Sequence, residues 1–177
     1  MVAQLDPAAL TAGFAKLPAP PVDIGAVRLV VVRRQGEQRV LPDAVRLTTA
    51  LGVVGDRWSL HASPNVQSQV TIMRADVAEL MAVDGDIARF GDNLFVTLDL
   101  SEENLPAGSR LGIGSAIVEV TSKPHTGCNK FKARAGQAAL DMTRLPEFGH
   151  LRLRGIHARV LVDGDVAKGD RIVVTRI

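Results

Sequence analysis

The chain has 177 residues, of which 46% are hydrophobic and 23% are charged, and its 21 Lys and Arg residues nearly balance 19 Asp and Glu residues. This composition predicts a folded globular domain and excludes a disordered chain. Its single cysteine excludes an internal disulfide framework, so we expect a reducing, cytoplasmic setting. The apolar runs are too short to cross a bilayer, and the first residues lack the pattern of a secretion signal.

The N-terminal part of the chain predicts a short amphipathic helix over residues 7–16, which a proline-rich connector follows. We therefore divide the chain into an N-terminal helix and linker, residues 1–22, and one β-barrel domain, residues 23–177. A first strand is predicted over residues 27–33, with a glycine-containing hairpin turn at residues 35–37. Residues 39–49 are predicted to return as its partner strand, with Pro42 at an edge or bulge.

The rest of the chain alternates between short β-branched runs and glycine-containing turns. The predicted strands are residues 69–73, 94–100, 109–120, 156–162 and 171–177, and the last two are expected to form a terminal hairpin-like pair. Apolar spacing predicts helices over residues 74–83 and 133–142. Many short strands and few short helices predict a mainly β fold, either a barrel or a sandwich.

The charge distribution favours an anionic small molecule as the ligand. Residues 1–119 carry a net charge of −4, whereas residues 120–177 carry +6. A nucleic-acid interface at residues 120–160 is the competing interpretation. The chain has five Phe, one Trp and no Tyr, and so offers few aromatic platforms for bases. We therefore expect neither nucleic acid nor a membrane as a partner.

The strongest candidate for chemistry is Cys128, because four basic residues and no acidic residue lie within six positions of it. These basic residues are Lys123, Lys130, Lys132 and Arg134. Neighbouring cations and helix N-terminal amides lower the pKa of a thiol, and the resulting thiolate attacks sulfur and binds soft metals. The same cations would hold a phosphate. The competing interpretation, a small buried cysteine, has about even weight.

His125 lies three positions before Cys128, and an imidazole there could exchange a proton with the thiol or a substrate. A loop histidine without a role is at least as compatible with the sequence. Zinc ligation by His125 and Cys128 with His150 or His157 is a weaker alternative, because the spacing lacks the paired clusters of structural zinc sites. A protease-like Cys-His pair is weaker still, since no orienting partner is identifiable.

Four stretches in the same order resemble the MOSC domain, the module named after the C-terminal part of molybdenum cofactor sulfurases. They are residues 52–57 (GVVGDR), residues 90–94 (FGDNL), the cysteine loop at residues 123–130, and the closing strands from residue 155 onward. Asp92 stands where Glu is commoner in the family, and the loop reads Pro-His-Thr-Gly-Cys where many relatives have Arg and Pro. With the opening strands, the resemblance covers about residues 27–177.

The resemblance implies a MOSC-type β-barrel with a few short flanking α-helices and one functional cysteine, Cys128. Family members carry sulfur as a cysteine persulfide, or bind molybdenum cofactor with the cysteine sulfur on molybdenum and reduce N-hydroxylated compounds. In this chain the cofactor phosphate would be met by the basic residues around Cys128. Arg57 and His61 could add cationic lining, and Asp92 and Asn93 could bind the pterin or cap a turn. The chain is too short to hold the sulfurases' pyridoxal-phosphate domain.

These observations lead to two functional hypotheses. The first is a protein that binds molybdenum cofactor or carries sulfur through Cys128, with sulfur transfer or two-electron reduction as the chemistry and His125 as a candidate proton donor. The second is a non-catalytic carrier of cofactor or persulfide that delivers its cargo to a partner enzyme. Either hypothesis implies an electron-donor or sulfur-donor protein.

Overall fold

The computed structural model of this protein describes residues 5–177. It contains twelve strands: β1 (Ile24–Val30), β2 (Val32–Arg33), β3 (Arg39–Val40), β4 (Ala44–Thr48), β5 (Gly52–Val53), β6 (Val70–Arg74), β7 (Leu94–Thr97), β8 (Arg110–Ile113), β9 (Ala116–Val120), β10 (Ile156–Val162), β11 (Gly164–Ala167) and β12 (Arg171–Thr175). The α-helices are α1 (Pro7–Ala15), α2 (Ala75–Met81), α3 (Asn129–Ala135) and α4 (Gln137–Met142).

Seven of the strands close into a barrel with the order β1-β12-β8-β9-β10-β6-β7. All neighbouring pairs are antiparallel except β6 and β7, which run parallel because α2 connects them as a crossover. Two small sheets, β11-β4-β5 and β2-β3, lie outside the barrel order. The mainly β barrel with a few short helices that the sequence predicted is confirmed.

The barrel interior is filled by aliphatic side chains from successive strands. In β9 every second residue is buried, which places Ala116, Val118 and Val120 on the inner face. Ile72, Leu94 and Ile156 are buried in the same core cluster. Burial of such side chains contributes about 1.5–3 kcal/mol each, and this is the main term that holds the barrel closed.

A second core lies between the helices and the outer face of the barrel. Asp6 is the N-cap of helix α1, and its carboxylate accepts from the backbone N–H groups of Ala8 and Ala9 at 3.3 and 3.2 Å. Its Leu10 is buried in this core together with Phe131 of α3 and Leu140 of α4. The N-terminal helix is therefore packed on the domain. None of the helices within residues 5–177 is long and apolar enough to cross a membrane.

Three sequence-based predictions about elements were wrong. Residues 39–49 do not return as one strand, since β3 pairs with β2 whereas β4 pairs with β11 and β5. Strands β10 and β12 do not form a hairpin, because β10 pairs with β6 and β9 whereas β12 pairs with β1 and β8. The second long helix is two helices, divided at Gly136, which has a φ of 90°.

Gly155 is the glycine on which the start of β10 depends, and it gives a test of the fold. Its φ is 104°, and a Cβ there would lie 2.2 Å from the carbonyl oxygen of Ile72. At Gly169 the φ is similar, 92°, but a Cβ would have open space. In both alanine variants the left-handed backbone lowers the free energy of unfolding by about 1–2 kcal/mol, and in Gly155→Ala overpacking lowers it further, by about 1–3 kcal/mol.

We therefore expect the thermal midpoint of Gly155→Ala to lie at least about 3 °C below that of Gly169→Ala. Thermal unfolding followed by circular dichroism measures both. Equal midpoints would contradict the close approach of the two backbones at Gly155.

Candidate functional site

The candidate site lies where the chain enters β7 and β10, on either side of β6. Ile72 of β6 pairs with Leu94 of β7 and with Ile156 of β10. The residues two positions before these partners, Asp92 and Arg154, therefore approach each other across the barrel edge. The loop that follows β9 passes over this point and carries His125 and Cys128.

Asp92 is the fully buried acceptor at the centre of the site. Its Oδ2 accepts from Nη1 of Arg154 at 2.6 Å, and its Oδ1 lies 2.7 Å from Nε2 of His125. Burial raises the pKa of the Asp92 carboxyl, but the charge of Arg154 and the hydrogen bonds from Arg154 and His125 outweigh burial and hold the pKa at about 2. The carboxylate is therefore ionised at neutral pH and fixes both partners.

The rings of His125 and His157 pack against each other at a tilt, with centroids 4.3 Å apart and an angle of 37° between the ring planes. Burial lowers the pKa of His125 below its usual 6.5 and that of His157 to about 4, so both rings are neutral at pH 7. His125 then donates its Nε2–H to Asp92, and His157 donates its Nδ1–H to the carbonyl oxygen of Lys123 at 3.2 Å. Nδ1 of His125 and Nε2 of His157 are left as acceptors.

A second buried hydrogen-bond network, around Asn93 and Asp56, lies next to the Asp92 network. Asn93 donates through Nδ2 to Oδ2 of Asp56 at 2.9 Å, and its Oδ1 accepts from the backbone N–H and the hydroxyl of Thr71, both at 3.1 Å. Asp56 also forms a two-pronged ion pair with Arg33, at 2.8 and 2.9 Å. Asp92 and Asn93 were predicted as pterin ligands or turn caps. Both are fully buried and hydrogen-bonded to protein groups, so in this structure they position other residues.

Cys128 is exposed and is the N-cap residue of α3. Gly127 before it is buried, and a Cβ there would lie 2.4 Å from a methyl carbon of Leu140, so a larger residue would require the Leu140 side chain to shift. Partial burial raises the pKa of the Cys128 thiol, but the backbone N–H groups of Phe131 and Lys130 and the charge of Arg154 bring it below its ordinary value. The interpretation of Cys128 as a buried apolar residue is therefore wrong.

Three of the predicted cations converge on one carboxylate, that of Glu37. Arg57 and Lys130 lie 3.0 and 3.4 Å from its Oε1, and Arg134 contacts its Oε2. Arg39, which the sequence analysis did not select, lies 3.4 Å from Oε2. Contact with Arg57, together with Arg134 and Lys130, holds the pKa of Glu37 at about 2 against the usual 4.5. We call these four basic residues and Glu37 the Glu37 cluster.

Lys123 and Lys132 lie outside the Glu37 cluster. Both are exposed and form no ion pair with the residues described, 5–177. Lys123 lines a cavity of about 400 Å³ together with His125, Arg154 and His157. Cys128 is not part of the wall of this cavity. Of the predicted basic residues, Arg57, Lys130 and Arg134 therefore lie at Glu37, Lys123 lies at this cavity, and Lys132 lies at neither.

His125 and His157 also line a second, smaller cavity of about 220 Å³. Arg33, Arg57 and His61 are among the residues that line it, so Arg57 and His61, which were expected to line the cofactor site, lie together at this cavity. Residues 5–177 contain no group of three or more His, Cys, Asp or Glu side chains placed to hold a metal ion, which leaves the zinc alternative without a ligand set.

Sequence reasoning missed Glu37, Arg39 and Arg154 as site residues and considered His157 only as a zinc ligand. Arg154 could have been suspected from its place before Gly155, at the entry to a predicted strand. No sequence signal identifies Glu37, because its partners lie between 2 and 97 positions away.

Comparison with known proteins supplies a family match and a set of structural neighbours. The family model described as MOSC domain matches residues 61–173, more than half of the chain. The search of curated proteins found no match. One similar solved structure is a protein described as hypothetical, with a TM-score of 0.62 and 19% identity over 86% of this chain and 69% of that chain. Another is YuaD from Bacillus subtilis, with a TM-score of 0.60 and 18% identity over 85% of this chain and 95% of that chain. YiiM from Escherichia coli is also similar, with a TM-score of 0.55 and 20% identity over 85% of this chain and 70% of that chain. At these identities the neighbours support the fold alone.

The buried pair of Asp92 and Arg154 predicts a specific dependence of stability on pH. In Asp92→Asn the Arg154 charge stays buried without its counter-ion, and we expect a loss of about 3–5 kcal/mol at pH 7. The folded-state pKa of Asp92 is depressed, so its stabilisation is complete above the unfolded value of 3.8 and is lost as pH falls toward 2. The stability difference between wild type and Asp92→Asn should therefore narrow between pH 4 and pH 2.

Urea unfolding across this pH range measures the difference. The control is Asp165→Asn, because the Arg46–Asp165 pair is exposed and should contribute less than about 1 kcal/mol. A difference between wild type and Asp92→Asn that does not change with pH would refute the assigned ionisation.

The environment of Cys128 predicts rapid alkylation at a pH below the range of a free thiol. We expect the iodoacetamide rate to reach half of its maximum at a lower pH than in an unstructured peptide that contains cysteine. Arg134→Gln should move that midpoint upward, because Arg134 is one of the charges that lower the pKa of the thiol. Arg159→Gln, which removes a cation paired with Glu119, should leave it unchanged. A wild-type midpoint at or above that of free cysteine would contradict the assignment.

Proposed function

Since this chain belongs to the MOSC domain family, we propose that it binds molybdenum cofactor or carries sulfane sulfur through Cys128. The observation that carries the proposal is the exposed Cys128 thiol, with a lowered pKa, at the start of the helix that also presents Lys130 and Arg134. A thiolate is the form that ligates molybdenum and the form that accepts sulfur from a persulfide donor.

The residues present fit the phosphate group of such a cofactor. The Glu37 cluster holds an internal carboxylate with three guanidinium groups and one ammonium group, and oxyanions are the ligands that this donor set prefers. Cys128 would supply the sulfur ligand to molybdenum, and Arg57, Lys130 and Arg134 would hold the phosphate. Lys123 and Lys132 would act as more distant charges. When bound, the cofactor would supply two-electron redox chemistry, with N-hydroxylated compounds as the candidate substrates.

His125 is proposed as a proton carrier at this site. Asp92 holds the neutral ring through Nε2, so Nδ1 of His125 is the ring nitrogen that can take up a proton. A proton taken up at Nδ1 would be stabilised by the Asp92 carboxylate. His125 lines both cavities described above.

The second candidate function is a non-catalytic carrier that delivers cofactor or persulfide to a partner enzyme. The exposed position of Cys128, outside the wall of the larger cavity, favours this function because a carrier must present its cargo to another protein. In both cases the protein is proposed to act in the cytoplasm, where a single free thiol remains reduced.

The experiment that tests the proposal is the molybdenum-to-protein ratio of wild type and Cys128→Ser, purified from a host that makes the cofactor. We expect near-stoichiometric metal in wild type and less than a tenth of that in the variant, with unchanged thermal unfolding. If neither protein contains molybdenum, mass spectrometry of Cys128 after treatment with a persulfide donor decides whether it gains one sulfur atom, +32 Da. Absence of both would overturn the proposal. Steady-state reduction of an N-hydroxylated compound by the metal-loaded protein separates enzyme from carrier.

A further inference from the structure

We propose that the Glu37 cluster is an oxyanion-binding site whose ligand in the free protein is the chain's own Glu37 carboxylate, and that a phosphate group binds there by displacing Glu37. The proposal deepens the proposed function by naming a regulatory residue at the phosphate site. It rests on that function only for the identity of the larger molecule that carries the phosphate.

The charges around Glu37 are far from balanced. One carboxylate faces Arg39, Arg57, Lys130 and Arg134, so the cluster keeps a net charge of +3. A carboxylate offers about four lone-pair sites, whereas three guanidinium groups and one ammonium group carry about eighteen N–H donors. Nε of Arg39 is among the donors left buried without a partner. A phosphate dianion would balance more of this charge and accept from more of these donors than Glu37 does.

The backbone at Glu37 is held in an unfavourable conformation. Gly36 and Glu37 both have left-handed φ values, 67° and 63°. Glycine adopts this region freely, but a residue such as glutamate pays about 1 kcal/mol or more for it. The side-chain contacts of Glu37 must offset this cost, so the contacts and the backbone conformation would be released together.

The segment that carries Glu37 is free to move without opening the barrel. Residues 35–37 form the tip of the hairpin between β2 and β3, which pair through two residues each in a sheet of their own. The Glu37 side chain is 51% exposed. Two surface clefts border the hairpin. One, of about 420 Å³, is lined by Arg39, Arg134 and a second carboxylate, Asp86, and the other, of about 540 Å³, is lined by Arg57. Withdrawal of Glu37 leaves the cations of both clefts available to one anion.

The site is connected to Cys128 through α3. Lys130 and Arg134 are one turn apart on this helix and face the hairpin, and the helix begins directly after the thiol. An anion held by these two side chains therefore lies at the same helix that presents Cys128.

The test uses the full-length chain and inorganic phosphate as the probe, with isothermal titration calorimetry and thermal unfolding at constant ionic strength. In Glu37→Gln the competing charge is removed, and we expect phosphate to bind at least about tenfold more tightly than in wild type. Without phosphate the variant should unfold at a lower temperature than wild type, because four cations then repel each other, and phosphate should restore its midpoint.

The matched control is Glu79→Gln, which removes an equally exposed carboxylate, 51%, that pairs with Arg28 alone. It should not change phosphate affinity. The double variant Glu37→Gln/Arg134→Gln should lose the gain in affinity, which identifies the cations responsible. If Glu37→Gln fails to fold, Glu37→Asp, with a carboxylate withdrawn by one methylene, should show the same direction with a smaller gain.

Equal phosphate affinity in wild type and Glu37→Gln would overturn the inference and leave Glu37 as a structural ion-pair partner. The same gain in Glu79→Gln would also overturn it, because the effect would then follow net charge. Neither result depends on molybdenum, so a failure here is distinguishable from a failure of the Cys128 proposal, which the metal ratio and the persulfide mass test.

Discussion

The buried carboxylate of Asp92 is the constraint on which the candidate site depends. It is fully buried and holds Arg154 and His125 at hydrogen-bond distance. Removing Arg154 or Asp92 would leave the other as an uncompensated charge in a low-dielectric interior. The barrel register places Asp92 beside Arg154, because Leu94 and Ile156 both pair with Ile72. Site geometry and barrel closure are therefore one structural requirement.

The charge asymmetry of the sequence becomes pairing in three dimensions. The C-terminal part supplies Arg154, Arg134 and Lys130, and the N-terminal part supplies Asp92 and Glu37 as their partners. The two clusters differ in kind. At Asp92 the charges are buried and matched, which gives a rigid support, whereas at Glu37 they are accessible and unmatched. Only the second arrangement can exchange its carboxylate for another anion.

Alternation and β-branched runs are local signals, and they predicted most elements and a mainly β fold, whereas the barrel was implied by the family resemblance. The sequence did not predict how strands pair. Strand β11 lies between β10 and β12 in the chain but pairs with β4, so the expected terminal hairpin does not form. Gly136, with its φ of 90°, divides a helix that apolar spacing alone made continuous. Pairing partners and the backbone conformation of a single glycine are set by packing across the fold, which a local pattern does not contain.

The predicted cations show where a local argument is sufficient and where it stops. Lys130 and Arg134 are four positions apart and face the same side of α3, whereas Lys132 points elsewhere. Placing the helix start at Asn129, directly after Cys128, would have separated them by periodicity; the prediction began the helix at residue 133. The partner of this face, Glu37, comes from a hairpin more than 90 positions earlier. Thus the helix determines which cations act together, and the barrel determines which carboxylate they meet.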